Sequence, residues 1–551
     1  MNITLIVIPL ALTSFTHLWN PVGFPSIHID EGHYMRRSIN VLEGLSPQEG
    51  AGAQESGRYD HPYFGQLFLA GIFKIIGYPD SLGLIPGDLS SAEKLFFAPR
   101  VLMGALAVVD TFLIYKIAEY RYNRTVGLIA SILFAVMPYT ILTRRILLEP
   151  IQLPFILSSI LLALYVKDKF KSNRNGFFIL ISGLFLGVAI FTKIPAFTMI
   201  PLIGYLVYSN SRSNKLKSLG IWFIPVLLVP LIWPVYAITV GDFDEWLDGI
   251  AWQTNRIPRH LEVALGHFFN TDALIVLLGI TGIVIAGLKK DFLPLLGSLP
   301  FFIFLYLINY VSLFHFIPIF PILCIAASIF IVETSRKARW MLTAIKSRLI
   351  DKTEESSAYR MDMKIEDNKL TKRKIGHYIL PFFLILIIGA VGLVNTVKGI
   401  TSHVTTTYLK ILTFVSKILN ENFEYPVHDD RVVVIASPRY LWVPDKIFDI
   451  DQHTYLSYFS YRNLRDLDKT DRFLVIVDNS FMRSMQKNDS KGEILQFLYN
   501  SSTIIGKFEE DADLSELRVN NDRDLSKVIE VRTNSPVLPN VVSPWSQAFP
   551  H

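Results

Sequence analysis

An acidic pair, Asp30-Glu31, follows the first apolar run of a chain that is otherwise largely hydrophobic, within Ser26-Ile27-His28-Ile29-Asp30-Glu31-Gly32-His33-Tyr34. Carboxylates at a bilayer edge are costly to desolvate and tend to mark chemistry. A third acid, Glu149, closes the stretch Thr143-Arg144-Arg145-Ile146-Leu147-Leu148-Glu149-Pro150. Cations recur at similar apolar boundaries: Arg58, Arg100, Arg144, Arg145 and Lys193. An acid that takes a proton, beside cations that hold an anion, suits group transfer on a charged lipid. His61, His315, Trp246 and Trp252 are candidate contacts to the transferred group or its acceptor.

The elements that position these residues are membrane helices. Hydrophobic residues make up 51% of the 551-residue chain and the mean hydropathy is +0.37, too apolar for an ordinary soluble protein. The apolar residues fall in runs near the ~20 residues that span a bilayer. They predict about eleven spans, at 1–19, 95–118, 125–143, 150–166, 176–192, 195–209, 219–240, 271–288, 291–310, 312–333 and 376–398. The break at 192–195 admits either one tilted helix or two packed ones. The net charge of +5 is small for this length and is no nucleic-acid signature. The single cysteine, Cys324, lies in a predicted span, so no intrachain disulfide can form.

Orientation follows from the basic loops. Arg121 and Arg124, Lys167 to Arg174, Arg212 to Lys217, Lys289 and Lys290, and the loop 334–375 all fall on one side, taken as cytoplasmic. The N-terminus then starts inside. The loop 20–94, the loop 241–270 and everything after 399 lie outside. The first segment as a signal peptide is the alternative, but it lacks a basic leader region and a clear small-residue cleavage site. Two parts are expected: a transmembrane part, 1–399, carrying the external loops, and an extracytoplasmic C-terminal domain, 400–551.

The loop 20–94 reads as helix 31–44 with Asp30 as its N-cap and Glu31 in its first turn. A second helix, 62–76, would start with Pro62 at N1 and present an apolar face to the membrane interface. The tail carries β-rich runs at 431–436, 472–477 and 527–532, which predict a small α/β domain. Asn488 and Asn500 head glycosylation sequons there.

These residues also resemble a family. Asp30-Glu31 after the first span, His61-Pro62-Tyr63-Phe64-Gly65, Arg100, and Arg144-Arg145-Ile-Leu-Leu-Glu149-Pro150 are similar to landmarks of the protein O-mannosyltransferase and aminoarabinose-transferase branch of the GT-C glycosyltransferases. Gly187-Val-Ala-Ile-Phe-Thr192-Lys193 and His315-Phe-Ile-Pro318-Ile-Phe-Pro321 resemble later ones. The resemblance covers roughly residues 1–400. Tyr63 stands where the family usually has a second proline, and Glu149 where it usually has aspartate.

The resemblance implies an inverting transfer of a sugar, a hexose such as mannose, from a polyprenyl- or dolichyl-phosphate carrier to a hydroxyl on the outer face. Such a donor already has a good leaving group, whereas the acceptor hydroxyl needs a base. Asp30 is the expected base, taking the proton as oxygen attacks C1. Arg58, Arg100, Arg144, Arg145 and Lys193 are expected around the phosphate. Glu31 and Glu149 would orient the acceptor or hold the arginines. The three acids would also suit Mg²⁺ or Mn²⁺, but the resembled branch implies no essential metal and no cofactor is expected. The acceptor (protein, glycan or lipid) stays open, as does the sugar.

Plainer roles exist for each residue. Asp30 can be a cap alone, Glu149 and Arg145 a helix-end ion pair, and Lys193 a snorkelling side chain. Arg100 can pair with an acid in the bundle, and His61 and His315 can be packing residues. The acids at 242–248 suit a solvated helix face, and Trp246 and Trp252 suit an interfacial belt. The rival functions are an oligosaccharyltransferase-like or glycan-extending enzyme, a secondary transporter, and a scaffold working through its tail.

Overall fold

The computed structural model describes residues 4–48, 59–166, 172–211, 214–256, 260–308, 310–354, 387–422, 432–448, 450, 453–459, 464, 465, 467, 472–487, 489–509 and 528–534. Helices dominate up to residue 422. The helices α2 (Ile29–Leu42) and α3 (Phe64–Ile76) follow α1 (Thr4–Leu18). Next come α4 (Leu89–Arg121), α5 (Arg124–Val136), α6 (Leu148–Tyr165), α7 (Ser172–Thr192) and α8 (Ile200–Asn210). α9 (Lys215–Leu228) and α10 (Ile232–Val240) precede the short α11 (Phe243–Thr254). α12 (Leu261–Leu288), α13 (Leu293–Leu307), α14 (Phe320–Glu354) and α15 (Ile387–Ile400) complete the apolar set. Among the described residues six helices are long and apolar enough to cross a membrane, or seven if the bent pair Arg124–Val136 and Pro138–Arg144 is one span.

Each of the predicted spans contains such a helix or a shorter apolar one, residues 376–386 of the last span lying outside the described residues. Lys215–Val240 is only 22% buried, with Phe223, Ile224, Leu227, Val235 and Ile238 exposed, as a lipid-facing helix requires. Leu313–Ala338 is 83% buried and sits centrally. The break predicted near 192–195 is real: α7 ends at Thr192, and a 3₁₀ turn, Ile194–Met199, leads into α8. α12 begins ten residues before the predicted start at 271. Its backbone breaks at Asp272 (φ −151°, ψ 62°), whose carboxylate accepts from the Ile275 and Tyr139 N–H groups. Hydropathy picked up only the part beyond that break, because Glu262, His267 and Asn270 dilute the first part.

After α16 (Thr406–Asn422) the chain forms a five-stranded sheet in the order β2-β1-β3-β5-β4. β1 (Val432–Ala436) runs parallel to β2 (Thr454–Ser457) and β3 (Arg472–Val477). β5 (Val528–Thr533) is antiparallel to β3 and to β4 (Thr503–Glu509). β1 is apolar at every position because both its faces are covered. Val432, Val434 and Ala436 face the large core shared with the helices, whereas Val433 and Ile435 face a second core with Phe481, Leu495 and Leu498. The expected strand at 527–532 is present one residue later. Asn488 lies outside the described residues, and Asn500 ends a helix, Ser490–Asn500.

The tail rests on α2, the helix that carries Asp30. Helix α17 (Pro438–Trp442) brings Trp442 so close to Gly32 that a Cβ there would lie 2.5 Å from the indole Nε1. Arg36 on α2 pairs with Asp445 at 2.5 Å, and Glu43 pairs with Lys446. Phe96 on α4 packs edge-on against Trp442 and Tyr408. Cys324 is buried and free.

Candidate active site

The start of α2 differs from the expected cap. His28, not Asp30, is the N-cap: its Nδ1 accepts the Asp30 N–H at 3.3 Å, and the Glu31 carboxylate accepts the His28 N–H at 2.8 Å. This reciprocal box begins the helix at Ile29. Glu31 is held in that position by Arg100, with Nε–Oε2 at 3.0 Å and Nη2–Oε1 at 2.9 Å, both side chains fully buried. Glu31 also accepts the Ile146 N–H at 3.1 Å, and Arg100 donates to the carbonyls of Pro21, Val22 and Pro25. Asp30 is thereby left in the first turn, with no capping duty and its carboxylate free to face a cavity.

That cavity is about 630 Å³. Three groups of residues form its walls. The α2 wall carries His28, Asp30, His33 and Tyr34. A second wall joins Asp60 and His61 to Trp233, Ile250, Gln253 and Thr254. A third runs from Lys193, Ile194 and Pro195 to Phe304, Leu307, Ile308, Tyr310, Phe314 and His315, and Arg256 lies at its edge. Leu307 lines the cavity and is 72% exposed, so the apolar end of the cavity reaches the surface of the helical bundle.

Asp30 is 30% exposed, toward this cavity. Burial opposes its ionisation, but His28 and His33 in their protonated forms, together with Lys193, outweigh burial and hold it below the usual carboxylate value. Burial pushes His61 down to about 3, reinforced by Lys193 and Arg256 against the pull of Asp60. Burial also lowers His33 and His28. These imidazoles are neutral near pH 7, which leaves Lys193 and Arg256 as the cations on the cavity wall.

Lys193 is 3% exposed, and its Nζ lies 2.5 Å from Glu149 Oε1 and 5.3 Å from the Phe314 ring centroid. It is thus a buried wall residue rather than one reaching out to an interface. Glu149 pairs with Lys193 rather than Arg145, and its buried Oε2 has no hydrogen-bond partner. Arg256 has no carboxylate partner among the described residues; its guanidinium lies 4.3 Å from the Trp252 ring and 4.6 Å from Tyr310.

The other expected residues lie elsewhere. Arg144 is turned back on the end of α1, donating to the carbonyls of Thr16, Trp19 and Asn20. Arg145 reaches Ser26 Oγ at 3.3 Å. Arg100, Arg144, Arg145, Glu31 and Glu149 do not line the cavity. His61 and His315 do, and His315 Nδ1 also accepts the Ser312 N–H at 3.0 Å. Trp246 stands behind the wall, against Trp233 and Phe243, and Trp252 supports Arg256. Arg58 lies outside the described residues. Pro62 precedes the N-cap Tyr63 instead of opening α3, because Asp60 is held by Arg37 at 2.7 Å and its carbonyl by Gln253 at 2.9 Å, which fixes the chain in a turn before the helix. Among the described residues no group of three or more His, Cys, Asp or Glu side chains is placed to hold a metal ion.

Arg256, Asp60, His33 and Trp233 were not among the expected residues. For Arg256, in the stretch just past α11, the sequence offered only one signal, its nearness to Trp252 four residues earlier. Asp60 and Trp233 had none, since their convergence depends on α11 docking over Tyr59, whose hydroxyl donates to Asp242 at 2.9 Å.

The helical bundle with its small C-terminal sheet has a fold found in solved membrane glycosyltransferases. Two solved structures share it: the apo oligosaccharyltransferase of Archaeoglobus fulgidus (12% identity, TM-score 0.52, 91% of this chain and 69% of that one), and ArnT of Cupriavidus metallidurans bound to undecaprenyl phosphate (10% identity, TM-score 0.54, 98% and 99%). At these identities the likeness is one of fold. Residues 60–238 match the family model described as dolichyl-phosphate-mannose-protein mannosyltransferase, and no curated protein sequence matches the chain. The chain has the fold of the GT-C glycosyltransferases.

Proposed function

We propose that the protein transfers a single sugar from a polyprenyl-phosphate carrier to an acceptor hydroxyl, at a cavity opening on the outer face of the membrane, with the N-terminus inside and the sheet-bearing tail outside. One observation carries this reading: a single cavity holds the Asp30 carboxylate on one wall, Lys193 and Arg256 on another, and an apolar end at Leu307 and Ile308. The undecaprenyl phosphate in the similar ArnT structure and the family description point to the same donor type.

Asp30 takes the acceptor proton as the hydroxyl oxygen attacks the sugar C1. The bond from C1 to the phosphate oxygen breaks, and the configuration at C1 inverts. The leaving phosphate gains negative charge, which Arg256 and Lys193 stabilise in a site with little water. Glu149 holds the Lys193 side chain in place. Arg100 and Arg144 act on the scaffold, since Arg100 is taken up by Glu31 and the terminal nitrogens of Arg144 by backbone carbonyls. A hexose such as mannose is the sugar favoured by the family description.

A depressed pKa makes Asp30 a modest base that stays ionised across the neutral range. The rate is therefore expected to hold as pH falls to the ordinary aspartate value of about 3.9 and to decline only below it. A decline that begins near pH 6 would assign the base to another group. Arg256→Ala is expected to weaken binding of undecaprenyl phosphate by about tenfold or more, the order of one charge-assisted hydrogen bond. Fluorescence titration in nanodiscs measures this, and unchanged affinity would remove Arg256 from the phosphate site.

A further inference from the structure

The wall formed by Asp60, Trp233 and Gln253 has features that the phosphate and the base leave unexplained. Asp60 is 20% exposed along its side chain and lines the cavity. Its Oδ1 is held by Arg37, which is 4% exposed, so the carboxylate is fixed in place while Oδ2 stays available. Trp233 is 4% exposed and lines the same cavity, yet its buried indole Nε1 has no acceptor. Gln253 gives its amide N–H to the Asp60 carbonyl, which orients the rest of that amide beside the same wall. Gly249 lets α11 approach closely enough to complete it: a Cβ there would lie 2.5 Å from the Tyr59 carbonyl oxygen.

A buried donor left without an acceptor gains from a ligand that supplies one. A fixed carboxylate reads hydroxyl or ammonium hydrogens and rejects anions. An indole beside them offers an apolar surface for the C–H face of a ring.

We infer that this wall is the donor-sugar subsite and that it selects a neutral or amino pyranose against a uronic acid. Asp60 accepts from sugar hydroxyls or an ammonium, and the Trp233 N–H donates to a ring substituent. A carboxylate on the sugar would face Asp60 and Asp30 together. This inference rests on the sugar-transferase reading and adds the donor's chemical class.

The test uses the full chain in nanodiscs with three polyprenyl-phosphate donors, carrying a neutral hexose, an amino sugar and a hexuronic acid. Donor consumption gives kcat/KM, and titration with bare undecaprenyl phosphate gives carrier affinity. The wild type is expected to use the uronate at least about tenfold less well than the neutral sugar. Asp60→Asn is expected to shrink that ratio by about tenfold while carrier affinity stays unchanged. Trp233→Phe keeps the ring and removes the N–H, and is expected to raise KM for the neutral donor severalfold, also without changing carrier affinity. Equal use of the uronate by the wild type, or an unchanged ratio in Asp60→Asn with unchanged KM in Trp233→Phe, would overturn the subsite and leave the transferase reading standing. Consumption of no donor by folded protein would overturn both.

Discussion

Asp30→Asn is expected to lower kcat for sugar transfer by about 10²–10⁴-fold, the usual contribution of a positioned base. The amide keeps the volume and the first-turn position but does not take up the proton. Donor affinity and thermal stability should change little. The reason is structural: the side chain neither caps α2, which His28 does, nor completes the buried pair, which Glu31 and Arg100 do. A loss in kcat at constant KM separates a group acting at the transition state from one that binds the donor. Wild-type turnover in this variant would remove Asp30 from the mechanism.

Arg100→Ala is expected to be the most damaging change to the fold, costing about 3–5 kcal/mol, because it leaves a fully buried carboxylate without its counter-ion. The effect spreads through three segments at once. Glu31 ties the start of α2 to α4 through Arg100 and to the loop before α6 through the Ile146 N–H. Arg100 in turn gathers the carbonyls of Pro21, Val22 and Pro25 after α1. Thermal denaturation in detergent measures it, and a melting temperature within a degree or two of wild type would show the pair to be dispensable. The pair also has a pH signature. Burial works against the Glu31 charge, but Arg100 and the His28 N–H outweigh it and hold its pKa below the ordinary value. A depressed folded-state pKa contributes stability that is present above the unfolded glutamate value of about 4.3 and lost as pH falls through the folded one. Wild-type stability should fall across that acid window, and the variant should lack this part of the fall.

The membrane architecture was legible because lipid imposes long apolar runs, and Arg121, Lys289 and their neighbours mark the loops between them. β1 and β3 were legible for a similar reason, being apolar on both faces. β2 and β4 were not: Thr454–Ser457 is short, and Thr503–Glu509 is a largely exposed edge strand with no apolar run. At the site, Asp30 and Lys193 could be singled out because charge beside an apolar run is costly. What separated Arg256 from Arg144 could not, since both are arginines near helix ends. Only tertiary contacts turn Arg144 onto the carbonyls that end α1 and leave Arg256 between Trp252 and Tyr310. The cap of α2 was misplaced because Asp is the better capping residue in isolation. Here Arg100 fixes Glu31, and Glu31 selects His28.

The central claim is that one cavity joins a carboxylate base to a lipid-phosphate site. The most direct measurement follows release of undecaprenyl phosphate from a labelled sugar donor by purified protein in nanodiscs, for the wild type and Asp30→Asn, with a cell extract as acceptor. The account predicts turnover with inverted anomeric configuration in the wild type, and normal donor binding with almost no turnover in the variant. Turnover of equal size in both, or failure of folded wild-type protein to bind undecaprenyl phosphate, would contradict it.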